Sequence, residues 1–168
     1  IEHAQILQLQ DIPRFSKLGV IASMQATHAT SDKNMAQDRL GEERILGAYA
    51  WQKLLKANAT IAGGSDFPIE SANPFFGLHA SITRQDHQNQ PEGGWLAEDS
   101  LSITQALKTF TTNAAFSAHQ ENIIGILGKN KKADFIIIDK DIFKVKSSEI
   151  WKTNVHQTWV DGKRVHYN

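Results

Sequence analysis

Asp66, His28 and His3 are the side chains whose types and positions could do chemistry together. Asp66 lies in Ala62-Gly63-Gly64-Ser65-Asp66-Phe67-Pro68, a short apolar run that ends in a carboxylate flanked by chain breakers. A strand delivers one acidic side chain to the rim of a parallel α/β structure in this way. His3 and His28 stand upstream, at the ends of similar strand-like runs. Imidazole nitrogen and carboxylate oxygen suit a borderline cation such as Zn2+. Such a cation lowers the pKa of water toward neutrality and polarises a carbonyl. Each residue also has an ordinary alternative. Asp66 could cap a helix or close an Asx turn before Pro68. His3 could be a strand-end histidine bonded to backbone, and His28 an exposed loop histidine.

Other candidates surround these. Arg84 and Arg39 could hold a substrate carboxylate or carbonyl through paired bonds. The alternative for them is a structural salt bridge, to Asp86 or Asp38 for example. His79 could touch substrate from a helix near the mouth, or simply pack in that helix. Trp95 and Phe67 could line a pocket or fill a core. His87, His119, His156 and His166 read as surface or loop residues, and Lys129 to Lys132 as a solvated turn.

Alternating strands and helices must carry these groups. Asp11, Pro13 and Gly19 bracket a short helix with Ile12, Phe15 and Leu18 on one face. Val20 to Gln25 reads as a strand buried on both faces. A long polar loop is expected from about Thr27 to Gly41, holding His28, Asp32, Asp38 and Arg39. Glu42 to about Asn58 reads as one helix, with Leu46, Tyr49, Ala50, Leu54 and Ala57 as its apolar stripe. Thr60 to Gly64 is the next strand. A second polar stretch runs from about Pro68 to Ser100, with a helix over Pro74 to Arg84. Ser102 and Gln105 form a capping box for a helix that packs Ile103, Ala106, Leu107, Phe110 and Ala114. Past Gln120 the texture changes to β: a strand over Ala133 to Asp139, then a hairpin through Asp161-Gly162. The alternation implies a parallel sheet, and in a (β/α)8 barrel chemistry sits on the loops after the strands, where all three candidates fall.

The bulk numbers narrow the function classes. The 168 residues suffice for one domain with a real core, or for one domain plus a small appendage. Lys plus Arg equals Asp plus Glu at 18 each, so no net field draws nucleic acid or an anionic membrane. No apolar run approaches a membrane span. Cysteine is absent, which excludes disulfides and thiolate metal sites but leaves the compartment open. Ile1-Glu2-His3-Ala4-Gln5 reads as the end of a strand already under way, so a fragment of a longer protein is expected. A cytoplasmic location is expected in preference to a periplasmic one, since any signal peptide would lie in the missing part.

Ile1-Glu2-His3-Ala4-Gln5, Met24-Gln25-Ala26-Thr27-His28 and Gly64-Ser65-Asp66-Phe67-Pro68-Ile69-Glu70 together resemble the amidohydrolase superfamily. The match is closest to its family 3 branch, the YtcJ-like enzymes that include N-substituted formamide deformylases. Asn73-Pro74, Gly77, Thr83-Arg84-Gln85-Asp86, Gly93-Gly94-Trp95, Ala133-Asp134-Phe135 and Ile150-Trp151-Lys152-Thr153 fit the same branch, so the resemblance spans essentially the whole chain. The sequence departs from the family where Ala26 replaces a usual proline and Asn130-Lys131 a usual Gly-Lys. The family's His-x-His pair and its fourth-strand ligand, often a carboxylated lysine, have no counterpart here.

The resemblance implies the carboxy-terminal part of an enzyme with a distorted (β/α)8 barrel and a small β-sandwich. Residues 1–120 would supply barrel strands five to eight, and residues 121–168 strands of the sandwich. It implies hydrolysis of C–N bonds in a small-molecule amide, N-formyl or N-acyl, with one or two divalent ions, Zn2+ foremost. Asp66 would bind metal and shuttle a proton, and His3 would be a ligand. His28 would bind a second metal in binuclear members, or hydrogen-bond water and carbonyl in mononuclear ones. The chain alone is expected to be inactive. It is expected to pair with its missing amino-terminal half or to form a homo-oligomer, because a half-barrel leaves sheet edges and apolar surface uncovered. The alternative is a non-catalytic α/β assembly module.

Overall fold

A computed structural model describes residues 1–167. Two short strands form the centre of the first part. β1 (Ala22–Gln25) and β2 (Ile61–Gly64) pair in parallel, with Ala22 opposite Ile61 and Gln25 opposite Gly64. The amino-terminal segment adds to the free edge of β1: Glu2 bridges Ser23 in parallel, and the Ser23 N–H donates to the Ile1 carbonyl at 2.9 Å. The chain is α/β, and these parallel segments end on one side.

The helices cover this pair. α1 (Ile12–Lys17) opens with Pro13 in its first turn and buries Ile12 and Phe15. Leu18, expected on the same face, is exposed, because the helix has already ended at Lys17. Asp11 occupies the cap position, but its carboxylate accepts from the Arg14 guanidinium at 2.8 Å rather than from an amide.

The expected polar loop from Thr27 to Gly41 is instead helical. α2 (Ala26–Arg44) starts directly from β1 and is interrupted only near its end, where Gly41 takes φ 72°. Its buried face is made of Ala26, Thr27, His28, Ala29 and Ala36. Small and hydrogen-bonding residues pack against another helix without a large apolar stripe, so hydrophobic periodicity does not register them.

The expected helix from Glu42 to Asn58 is broken in two. A 3-10 turn covers Ile45–Gly47, Tyr49 takes φ 49°, and α3 spans Trp51–Lys56. The break exists because the amino-terminal segment claims this backbone. Ile6 bridges Ala48 antiparallel, Leu7 N–H donates to the Gly47 carbonyl at 3.0 Å, and Tyr49 N–H donates to the Gln5 carbonyl at 2.7 Å. Tyr49, Ala50 and Leu54 are buried as expected, while Leu46 points outward.

α4 (Pro74–Thr83) has Asn73 as a true cap, its side chain accepting the Phe75 N–H at 3.0 Å. α5 (Ile103–Phe110) carries the expected Ser102–Gln105 capping box. It does not run on to Ala114: Thr111, at φ −125° and ψ −94°, separates it from α6 (Thr112–Ser117). β3 (Phe135–Ile138), β4 (Val155–Val160) and β5 (Lys163–Tyr167) form an antiparallel sheet in that order. Asp161 and Gly162 both take positive φ, as a tight hairpin turn requires. Asn130 takes φ 66°, so asparagine serves the left-handed position for which glycine is common. The 3-10 segment Ser147–Lys152 docks this part on α4 through buried Ile150, with Trp151 beside Phe76. Among the described residues, no helix is long and apolar enough to cross a membrane.

A methyl group at Gly47 would sit 1.9 Å from the Leu7 carbonyl oxygen. Gly47→Ala is therefore expected to disrupt the seam between residues 5–7 and 47–49 and to destabilise by about 2 kcal/mol or more. Urea unfolding monitored by circular dichroism measures this, and an unchanged midpoint would contradict it.

Candidate metal centre

Parallel pairing sends the ends of three segments to one rim. His3 follows the Glu2–Ser23 bridge, His28 stands in the first turn of α2 just after β1, and Asp66 follows β2 by two residues. Each offers one ligand atom, and these atoms all lie within 4.8 Å of one another. The two imidazoles stack with centroids 5.7 Å apart. His28 Nε2 lies 3.8 Å from Asp66 Oδ2.

Local backbone aims the outer two. His3 has φ 65° and Asp66 φ 57°, left-handed conformations that cost a non-glycine residue about 1 kcal/mol or more. Such strain persists only where surrounding structure holds it. The ordinary roles open to Asp66 are taken by neighbours. Ser65 Oγ accepts the Phe67 N–H at 3.3 Å, and the Asp66 carbonyl, not its carboxylate, accepts the Ile69 N–H at 2.8 Å. The carboxylate is left facing His28. His28 is only 8% exposed, yet its Nε2 has no hydrogen-bond partner among the described residues. A buried polar atom without a partner is costly. Imidazole nitrogen and carboxylate oxygen within this distance of one another fit a divalent cation of the zinc type, and the unpartnered His28 Nε2 is left for a ligand of the site.

Behind these groups lies a polar layer that sequence reasoning missed. His3 Nδ1 faces Gln25 Oε1 at 2.9 Å, and His28 Nδ1 faces Gln5 Nε2 at 3.2 Å. Gln5 Nε2 also donates to the Tyr49 hydroxyl at 3.0 Å, and that hydroxyl donates in a short bond to Asp32 Oδ2. Burial, followed by the bond to Asp32, pushes the Tyr49 phenol well above its ordinary pKa, so it stays protonated. Gln5 and Gln25 had a usable signal, since each belongs to a strand-like run that ends near a candidate histidine. Tyr49 and Asp32 had none.

The remaining candidates lie elsewhere. Arg84 is fully buried, bonded through Nε to the Trp95 carbonyl and through Nη1 to the Tyr49 carbonyl, and stacked 4.1 Å over Trp51. Burial lowers its pKa to about 10. Arg39 lies exposed on α2. His79 is fully buried in α4 against Asn89, and burial lowers its pKa. No hydrogen bond joins any of these to His3, His28 or Asp66 among the described residues, so the structure does not assemble them as a substrate clamp. Trp95 packs edge-on against Tyr49, whereas Phe67 is exposed beside Asp66. His87 stacks on Trp151 at 4.6 Å. Asp86 pairs with Lys33 at 2.8 Å, not with Arg84.

A model of the amidohydrolase family matches residues 1–166. The amidohydrolase-type protein YtcJ of Bacillus subtilis (strain 168) is 27% identical over 164 residues, which cover 98% of this chain and 31% of that protein. The protein LONG AFTER FAR-RED 3 of Arabidopsis thaliana is 33% identical over 171 residues, covering 99% and 28%. An N-substituted formamide deformylase of Arthrobacter pascens is 22% identical over 163 residues, covering 96% and 30%. Among solved structures, an uncharacterised metal-dependent hydrolase of Pyrococcus horikoshii OT3 superposes with a TM-score of 0.77 at 31% identity, over 88% of this chain and 30% of that one. The chain thus spans about three-tenths of the length of the curated relatives it matches.

The Lys33–Asp86 pair ties α2, which carries His28, to the loop after α4. Partial burial works to raise the Asp86 pKa, but the Lys33 ammonium and the Gln90 and Gln88 amides outweigh it and hold the carboxyl low. A carboxyl lowered on folding adds stability above its unfolded pKa of about 3.9 and loses it as pH falls through the folded value. Asp86→Asn is therefore expected to cost about 1 kcal/mol at neutral pH. That difference should shrink toward zero in strong acid. Urea midpoints of both proteins across this range measure it, and a pH-independent difference would contradict it.

Proposed function

The chain belongs to the amidohydrolase family, and on that premise we propose that it forms part of a metal-dependent hydrolase of C–N bonds. The convergence of His3, His28 and Asp66 on one rim carries this reading. A divalent cation held there, Zn2+ foremost, would lower the pKa of water and polarise the substrate carbonyl. His3 and Asp66 would hold it, with further ligands from parts of the protein that this chain does not span. Asp66 then takes the proton of the attacking water on its free carboxylate oxygen and returns it to the leaving nitrogen, acting as base and then as acid. Its side chain is 38% exposed, so water and substrate can reach the carboxylate. His28 lies close enough to hydrogen-bond the carbonyl oxygen or to share the metal.

Small N-formyl and N-acyl amides are the substrates this reading favours. The support is the branch resemblance and the formamide deformylase among the relatives. Exposed Phe67 and Ile69 beside Asp66 supply an apolar rim for an N-substituent. The active assembly includes the rest of the protein, and self-association of the chain is the expected substitute. Ile1, Ile6 and Leu18 leave apolar surface open along the first segment.

In the complete protein, Asp66→Asn is expected to lower turnover of an N-formyl amide by roughly 100-fold or more. Chelation should abolish the wild-type activity and Zn2+ restore it. Wild-type turnover indifferent to chelator and to this substitution would leave the non-catalytic assembly module as the better reading. Light scattering of the isolated chain should give at least a dimer mass, and a stable monomer would contradict the association.

A further inference from the structure

Each site histidine has its Nδ1 against a glutamine side chain, and the two glutamines face opposite ways. Gln25 is buried, and its Nε2 lies 3.4 Å from Glu2 Oε2. Ser23 Oγ donates to both oxygens of that carboxylate, at 2.8 and 2.9 Å, and so holds it in place. An ionised carboxylate only accepts. The amide nitrogen of Gln25 therefore faces Glu2, and its Oε1 faces His3 Nδ1 at 2.9 Å. A carbonyl oxygen also only accepts, so His3 Nδ1 carries the proton and His3 Nε2 keeps a lone pair.

Gln5 is oriented by a different anion. The Tyr49 hydroxyl has one proton and gives it to Asp32. Its oxygen is then an acceptor, filled by Gln5 Nε2 at 3.0 Å. The second hydrogen of the same amide faces His28 Nδ1 at 3.2 Å. That nitrogen must present its lone pair, so the proton of the neutral ring sits on Nε2, the buried atom without a partner among the described residues. Reversing the Gln5 amide would set its oxygen against the Tyr49 oxygen unless the hydroxyl abandoned Asp32. The Asp32–Tyr49 bond therefore reaches His28 through one amide.

We propose that Gln25 and Gln5 are positioning residues that hold the site histidines in opposite tautomers, so that His3 offers a lone pair to a cation and His28 offers an N–H to the substrate carbonyl. The assignment of tautomers stands on the hydrogen-bond geometry; their use rests on the hydrolase reading above. With its Nε2 protonated, His28 is no metal ligand, and the site takes a single cation rather than a pair.

The test is a two-bond proton–nitrogen correlation spectrum of the chain labelled with 15N-histidine, at mildly alkaline pH, with peaks assigned by His3→Ala and His28→Ala. The expected pattern is pyrrole-type Nδ1 and pyridine-type Nε2 for His3, and the reverse for His28. Gln5→Glu, which puts an acceptor beside His28 Nδ1, should reverse the His28 pattern alone. Gln25→Leu should release His3 into a mixture of tautomers. The same tautomer for both rings, or patterns indifferent to both substitutions, would overturn the assignment. Should a variant lose its dispersed amide spectrum, the wild-type pattern decides. In the complete protein, labelled in the same way, Zn2+ added to excess is expected to shift His3 Nε2 and to leave the His28 Nε2–H in place. Loss of that N–H overturns the division of roles. Failure of the complete protein to take up zinc with the tautomers as assigned counts against the metal reading and leaves the positioning role standing.

Discussion

Parallel registry between three short segments is the constraint on which this structure depends. Glu2 beside Ser23, and Ala22 beside Ile61, point all three chain ends the same way. Only then can residues far apart in sequence share one rim. Side chains alternate across a strand, so a slip of one residue in either pairing would turn the rim side chains to the other face. The strands are only four residues long, and β1 is largely buried. Their registry is consequently held from outside, by the helices on one hand and by residues 5–7 crossing to 47–49 on the other.

Tyr49 joins that scaffold to the site. Its amide binds Gln5, its carbonyl accepts from Arg84, and its hydroxyl mediates between Asp32 and the Gln5 side chain. Arg84 is correspondingly a structural cation, enclosed by Trp51 and Trp95. Even lowered to about 10, its pKa leaves it charged at neutral pH. The nearby charges of Asp99 and Glu98 oppose the cost of burying it. Asp99 is itself buried and paired with Lys53. A buried guanidinium of this kind needs all its partners in place at once, which ties the backbone around Tyr49 to one arrangement.

The rim is strained where the chemistry is placed. His3 and Ala4 are both left-handed, as is Asp66. None of them is a glycine, and Ala4 has no polar side chain to compensate locally. Packing around buried Ala4 and the bond from the His3 ring to the Gln25 carbonyl oxygen hold the first turn. The second is closed by the Ser65 hydroxyl and by the Asp66 carbonyl, which frees the carboxylate. The site thus has a rigid inner wall of hydrogen-bonded side chains and a more open carboxylate facing it.

The sequence by itself determined the strand ends, the capping box, the hairpin and the three rim residues. Each of those depends on local chemistry: a run of apolar residues, a cap three positions from its partner, an Asp-Gly turn. It did not reveal α2, because alanine and hydrogen-bonded polar residues pack without hydrophobic periodicity. It read one helix where the amino-terminal segment had taken over the backbone of residues 47–49. It offered Arg84 and His79 to a substrate, although both are sealed inside the protein. Only the tertiary structure decided these points, together with the glutamine layer behind the histidines. Burial and hydrogen-bond partnership are properties of pairs of residues distant in the chain, and no local pattern encodes which pairs will meet.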